Sequence, residues 1–143
     1  MAKSRTRVAN EAWEALFRAQ ATLLREFLDA QVWGDLGPSE YGVLYALSTV
    51  PGGARISELQ EDVLLTQTGM SRLIARMEAG GLVERSEDPD DGRASRIRLT
   101  ELGAEKQREV GLRHGRHVAQ AMTRALDRDQ LVHLQELCRT LTA

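Results

Sequence analysis

The sequence predicts a mainly α-helical chain with one small β-hairpin, in which a central lobe is carried between long terminal helices. Three observations predict it. A pair of helix caps followed by a double glycine punctuates residues 56–81. Two short runs that alternate apolar with charged residues flank a loop of turn formers between Leu82 and Leu99. On either side, about 8–33 and the last helix after Asp127 keep a helical apolar spacing. The latter is joined to the hairpin by a long helix from Thr100 whose middle, Glu105 to Gln120, is polar nearly all round apart from Val110, Leu112 and Val118.

In chain order, residues 1–7, MAKSRTR, are basic and aperiodic, and read as a solvated tail. From about Val8 the spacing turns helical, and Trp13, Leu16, Phe17, Leu23, Leu24, Phe27 and Leu28 form a broad apolar face on a helix reaching Val32. Gly34 and Gly37-Pro38 break it. Pro38 suits a first helical position, and a second helix marked by Tyr41, Leu44, Tyr45 and Leu47 ends before Pro51-Gly52-Gly53. Ala54-Arg55-Ile56 is short enough to add an edge strand to the hairpin.

Ser57 with Gln60 reads as a capping box, so a short helix is expected from Glu58, burying Leu59 and Val63. Thr66 then caps a second helix from Gln67 to about Ala79, where Gly80 and Gly81 supply left-handed stops. Within it Met70, Leu73, Ile74 and Met77 make the buried stripe. Gln67, Thr68, Ser71, Arg72 and Ala75 are left on the opposite face, with Arg76 at its margin. Leu82–Arg85 and Arg96–Leu99, joined through Pro89, Asp90, Asp91 and Gly92, make a hairpin with a polar tip. A helix-turn-helix followed at once by such a hairpin is a winged helix.

The exposed helix face is small, polar and cationic, as entry into a DNA major groove requires. Short hydroxyls allow close approach, while Gln and Arg reach adenine and guanine edges in bidentate fashion. Any surface helix can carry such residues, so the face alone does not set function. More specific are GLVER at 81–85, DGR at 91–93 and RIRLT at 96–100, at this spacing behind such a helix. With these the chain resembles the MarR family of bacterial winged helix-turn-helix transcriptional regulators, over nearly its whole length.

That resemblance implies a homodimer in which the helices of about 8–33 and 101–143 form a dimerisation lobe and about 37–100 the DNA-binding lobe, within a single domain spanning 1–143. It implies double-stranded DNA as partner, read as a pseudo-palindromic operator, and repression relieved by a small aromatic or anionic effector. Carried over by position, Gln67, Thr68, Ser71 and Arg72 face the major groove, with Arg76 near the backbone. In the wing, Arg93 meets the minor groove, Asp91 orients Arg93, and Arg96 adds a cation. Trp13, Phe17, Tyr41 and Tyr45 are the candidate effector contacts, although aromatics at this spacing more often belong to a core. Two positions depart from the family pattern: Gln60 replaces the usual Ala, and Leu64 stands where Gly often marks the turn. The wing is also rich in carboxylates, Glu84, Glu87, Asp88, Asp90 and Asp91, which are expected to restrain non-specific phosphate contact.

Composition bounds the alternatives. A chain of 143 residues with 42% hydrophobic content can bury one core, or one core plus a dimer interface. The net charge of −2 is unlike a typical nucleic-acid binder, but a dimer needs only a local cationic surface. The single cysteine, Cys138, provides neither a disulfide nor a cysteine metal site and is expected to pack as a small hydrophobe. No signal peptide or membrane span is legible, which leads to the expectation of a cytoplasmic protein. No nucleophile-base pair, phosphate loop or HExxH motif is present, so no enzyme and no cofactor are expected. His114 and His117, one turn apart beside Arg113 and Arg116, read as a solvated basic face rather than a metal site. The competing class is a winged helix that binds protein without reading DNA, which the acidic wing permits. Thr100 caps the long helix that follows the hairpin, with Gly111 and Gly115 as its weak points. Asp127 with Gln130 boxes a last helix carrying Leu131, Leu134, Leu137 and Leu141.

Overall fold

A computed structural model describes residues 1–63 and 65–143. The chain is mainly helical with one small antiparallel sheet, and divides into two units: Trp33–His114, and Met1–Val32 together with Gly115–Ala143. The first is a winged helix-turn-helix. It contains α2 (Pro38–Ser48), β1 (Ala54–Arg55), α3 (Ile56–Leu59), α4 (Gln67–Ala79), β2 (Val83–Glu87) and β3 (Ser95–Leu99). The second contains α1 (Arg5–Asp29) and α6 (Arg128–Thr142), and α5 (Glu101–Ala125) contributes to both.

The winged unit is built on one cluster of buried side chains. Val43, Leu44 and Leu47 from α2 meet Leu59 from α3, the α4 stripe of Met70, Leu73, Ile74 and Met77, and Val83 and Ile97 from the sheet. The whole predicted α4 stripe is therefore interior, each member no more than 2% exposed. Tyr45 is different. It shares the α2 apolar pattern but is 56% exposed, while Val43, which the pattern passed over, is fully buried. The sheet has order β1-β3-β2, with Ala54 opposite Ile97 and Val83 opposite Leu99. The edge strand expected at 54–56 forms over Ala54–Arg55, and Ile56 already belongs to α3.

Several helix ends differ from the sequence reading. α1 starts at Arg5, because the Ser4 hydroxyl accepts from the Arg7 amide (3.2 Å) and Glu11 draws in Lys3 and Arg7. The basic segment is thus partly first helical turn rather than tail. The same helix stops at Asp29, and Gln31 takes φ 52° so that the Val32 amide can reach back to the Phe27 carbonyl. α3 begins two residues before the expected Glu58. Its start is set by the end of β1, and the Glu58 carboxylate accepts from the Arg55 amide (3.2 Å) in place of a Ser57 cap. Gln60, read as part of that box, instead donates to the Leu65 carbonyl (3.1 Å). At the end of α4 only Gly81 is left-handed (φ 76°); Gly80 stays helical (φ −79°).

The terminal helices behave as their caps require. Thr100 accepts from the Gly103 amide (3.0 Å) at the start of α5, and Asp127 and Gln130 close both halves of the box at the start of α6. In the terminal unit neither α1 nor α6 has a buried residue, and Trp13, Phe17, Leu137 and Leu141 are more than half exposed. No helix among the described residues is long and apolar enough to cross a membrane.

Candidate nucleic-acid interface

α4 is held at both ends by local bonds and along its inner side by the core, so its outer residues are presented on a rigid element. The Thr66 hydroxyl accepts from the Gly69 amide (3.0 Å), and no Asp or Glu stands in the first turn. Gln67, Thr68, Arg72, Ala75 and Arg76 are exposed, and Ser71 is half-buried beside them. Among the described residues Arg72 and Arg76 take part in no ion pair, whereas Arg85 on β2 pairs with Glu78 at the far end of the helix (3.2 Å). The helix therefore offers a cationic, hydroxyl-bearing face whose positive N-terminal dipole end also favours phosphate. Leu64, the departure expected in the turn before it, lies outside the described residues; Gln60 crosses that turn through its bond to Leu65.

The wing is organised by a residue that the sequence reading placed among its surface acids. Asp88 is 3% exposed. One carboxylate oxygen accepts from Arg55 Nε (2.8 Å) and from an Arg96 terminal nitrogen (3.1 Å); the other accepts from the amides of Asp90 (2.8 Å) and Asp91 (3.2 Å). Arg96, expected to face DNA, is thus turned inward onto Asp88, with its side chain 24% exposed. Asp91 touches Arg93 through the backbone, its carboxylate accepting from the Arg93 amide (3.0 Å) and not from the guanidinium. The Arg93 side chain itself is exposed at the wing tip and, among the described residues, forms no ion pair.

The Arg55 guanidinium, with the Asp90 amide behind it, holds the Asp88 carboxyl well below the usual carboxylate range, and Asp88 in turn raises Arg55. A carboxyl depressed in the folded state contributes stability that is complete above its ordinary value near 3.8 and is lost as pH falls toward the folded value. Thermal melts of the parent should therefore fall more steeply below pH about 4 than those of Asp88→Asn, which carries no titrating group at this position. Parallel curves would remove Asp88 as the acid-sensitive contact.

The aromatic candidates do not all fall in one place. Tyr41 is buried and Tyr45 exposed, with ring centroids 6.4 Å apart. Tyr41 also lies 4.9 Å from the ring of His114, which is 5.7 Å from that of Trp33. Burial pushes the Tyr41 hydroxyl up, against a hydrogen bond from Gln107. Hence His114 belongs to an aromatic cluster and not to the solvated basic face expected of it. Trp13 and Phe17 lie in the terminal unit, where Trp13 lines an apolar groove of about 330 Å³ with Leu16, Leu134, Leu137, Cys138 and Leu141. No group of three or more His, Cys, Asp or Glu side chains suited to a metal occurs among the described residues.

Residues 34–94, which hold the helix-turn-helix and the wing's first strand and loop but not β3, match the sequence profile of the MarR family. Over that segment the chain is similar to the MarR family. Its match to an uncharacterised HTH-type transcriptional regulator of Bacillus subtilis is 41% identical over 70 residues, 49% of this chain and 48% of that protein. The chain spans about half the length of the curated relatives it matches. Among solved structures, AbsC, a MarR family transcriptional regulator from Streptomyces coelicolor, is 26% identical with a TM-score of 0.80, covering 99% of this chain and 95% of that one. The PcaV transcriptional regulator of the same organism, solved with its natural ligand, is 27% identical with a TM-score of 0.77, covering 99% and 97%.

Proposed function

We propose that this chain is a MarR-type homodimeric, ligand-responsive transcriptional repressor that binds a pseudo-palindromic operator on double-stranded DNA in the cytoplasm, without enzymatic activity. One observation carries the reading: a rigid, capped α4 offers Gln67, Thr68, Ser71, Arg72 and Arg76 outward, and among the described residues its two arginines are not spent on ion pairs. The wing adds Arg93 as a further, separate cation. The regulator names of the relatives and the ligand-bound state of PcaV support the same class. For an effector, Tyr41 and Tyr45 in the winged unit and Trp13 and Phe17 in the terminal unit are the aromatic candidates, and a small aromatic or anionic molecule is the chemistry proposed.

Footprinting the purified protein on DNA flanking its own gene tests the reading. Protected half-sites should be related by a two-fold axis and lie about 10 base pairs apart, one turn of B-DNA. Arg72→Ala should then cost on the order of 1–3 kcal/mol, with relaxed base preference at one position of each half-site. Arg93→Ala should leave base preference nearly intact and lower the slope of log affinity against log salt by about one. Two variants that bound like the parent would hand the protein to the protein-binding class instead.

A further inference from the structure

We propose that Asp88 is a positioning residue for Arg93, fixing where the wing presents its cation, so that DNA affinity depends on a carboxylate that never faces DNA. The inference rests on the DNA-binding reading above. Its geometry is a clasp. Arg55 and Arg96 stand directly opposite each other in the β1–β3 ladder, where like charges repel. The enclosed Asp88 carboxylate accepts from both on a single oxygen, which ties the edge strand to β3 and leaves the cluster with one net positive charge. Its other oxygen accepts the Asp90 and Asp91 amides, and its own amide donates to the Ala94 carbonyl (3.2 Å), so the loop is closed at its base. From there the bonds continue outward: the Ala94 amide donates to the Asp91 carbonyl (3.0 Å), and the Arg93 amide to the Asp91 carboxylate (3.0 Å).

Nothing apolar does this work at the tip. Pro89, Asp90, Asp91, Gly92 and Arg93 are all exposed, and a side chain added at Gly92 would meet no atom within 4 Å. Hydrogen bonds that trace back to Asp88 are what set the backbone direction at Arg93. Arg96 Nε is buried without a partner among the described residues, which makes Arg55 the better satisfied arm of the clasp. Burial also hides the Asp88 charge from phosphate, so it orders the wing without repelling DNA.

The test is a double-mutant cycle, read by fluorescence anisotropy on a 30-base-pair duplex carrying the site footprinted beside the protein's own gene. Asp88→Asn and Arg93→Ala should each weaken binding by roughly tenfold and flatten the salt slope alike. Together they should be no more than about twofold weaker than Arg93→Ala alone. Circular dichroism confirms that each variant is folded at the assay temperature. If Asp88→Asn is not folded, Arg55→Met, which removes one arm and keeps the loop bonds, replaces it in the cycle with the same expected non-additivity. A loss of the same size with and without Arg93 would mean general damage to the wing and would overturn the proposal. A parent protein that binds no duplex sinks the DNA-binding reading and this inference with it, whereas additive losses sink only the inference.

Discussion

Gly103→Ala should destabilise the winged unit by about 3 kcal/mol or more, although alanine is the better helix former by about 1 kcal/mol. A methyl group on Gly103 would drive into the Leu82 carbonyl oxygen and lie 2.9 Å from its carbon, both backbone atoms with no rotamer to yield. That carbonyl is also occupied. It accepts the Thr100 amide (3.2 Å), while the Thr100 hydroxyl accepts from Gly103 and donates to the Gly81 carbonyl. Moving the start of α5 outward to admit a methyl would therefore loosen three bonds at the junction of α4, the sheet and α5. Gly115→Ala is the control, since a methyl there meets nothing within 4 Å and should raise stability by about 1 kcal/mol. Urea titrations of both variants decide the matter: a Gly103→Ala protein as stable as the parent would show that α5 does not start against Leu82.

The contrast between these two glycines measures what was legible in the sequence. Both sit in one helix, and nothing local to Gly103 reveals that a backbone twenty-one positions upstream needs its space. Gly111, by the same sequence logic a blemish like Gly115, turns out to face the Tyr41 hydroxyl, 3.3 Å from where its methyl would be. By comparison α4 was legible to the residue, because both of its ends and its buried stripe are specified by side chains within the helix or next to it. α3 was not. Ser57 and Gln60 satisfy a capping signature, but pairing of Ala54 and Arg55 with β3 fixes the chain two residues earlier and tertiary contact overrides the local signal.

In the candidate interface the same division holds. The outer face of α4 followed from helical spacing, whereas the wing turned on Asp88, one of five carboxylates with nothing in composition to set it apart. Its local sign was its place before Pro89, where an aspartate commonly accepts amides two and three residues on. Its distant sign, Arg55 opposite Arg96, existed only once the edge strand was paired. Arg96 was consequently read as a cation for DNA when its partner was already inside the protein.

Leu137→Asp should turn the proposed dimer into a monomer at low micromolar concentration and abolish operator binding with it. In the single chain Leu137 is 52% exposed and lines the same apolar groove as Trp13, Leu16 and Leu141, so α6 should keep its fold when the residue becomes charged. The cost falls on association. In a two-fold interface each substitution occurs twice, and a carboxylate buried there has no cation in the groove to pair with. About 4 kcal/mol or more lost on this account corresponds to roughly a thousandfold in the dimer dissociation constant. Operator affinity should follow, because one half-site alone supplies about half of the phosphate and base contacts. Leu137→Met, which keeps apolar area and volume, should remain dimeric. Sedimentation velocity on the three proteins reads the outcome: a Leu137→Asp chain that still sediments as a dimer would place the interface on another face and leave the exposed apolar surface of α1 and α6 to some other partner.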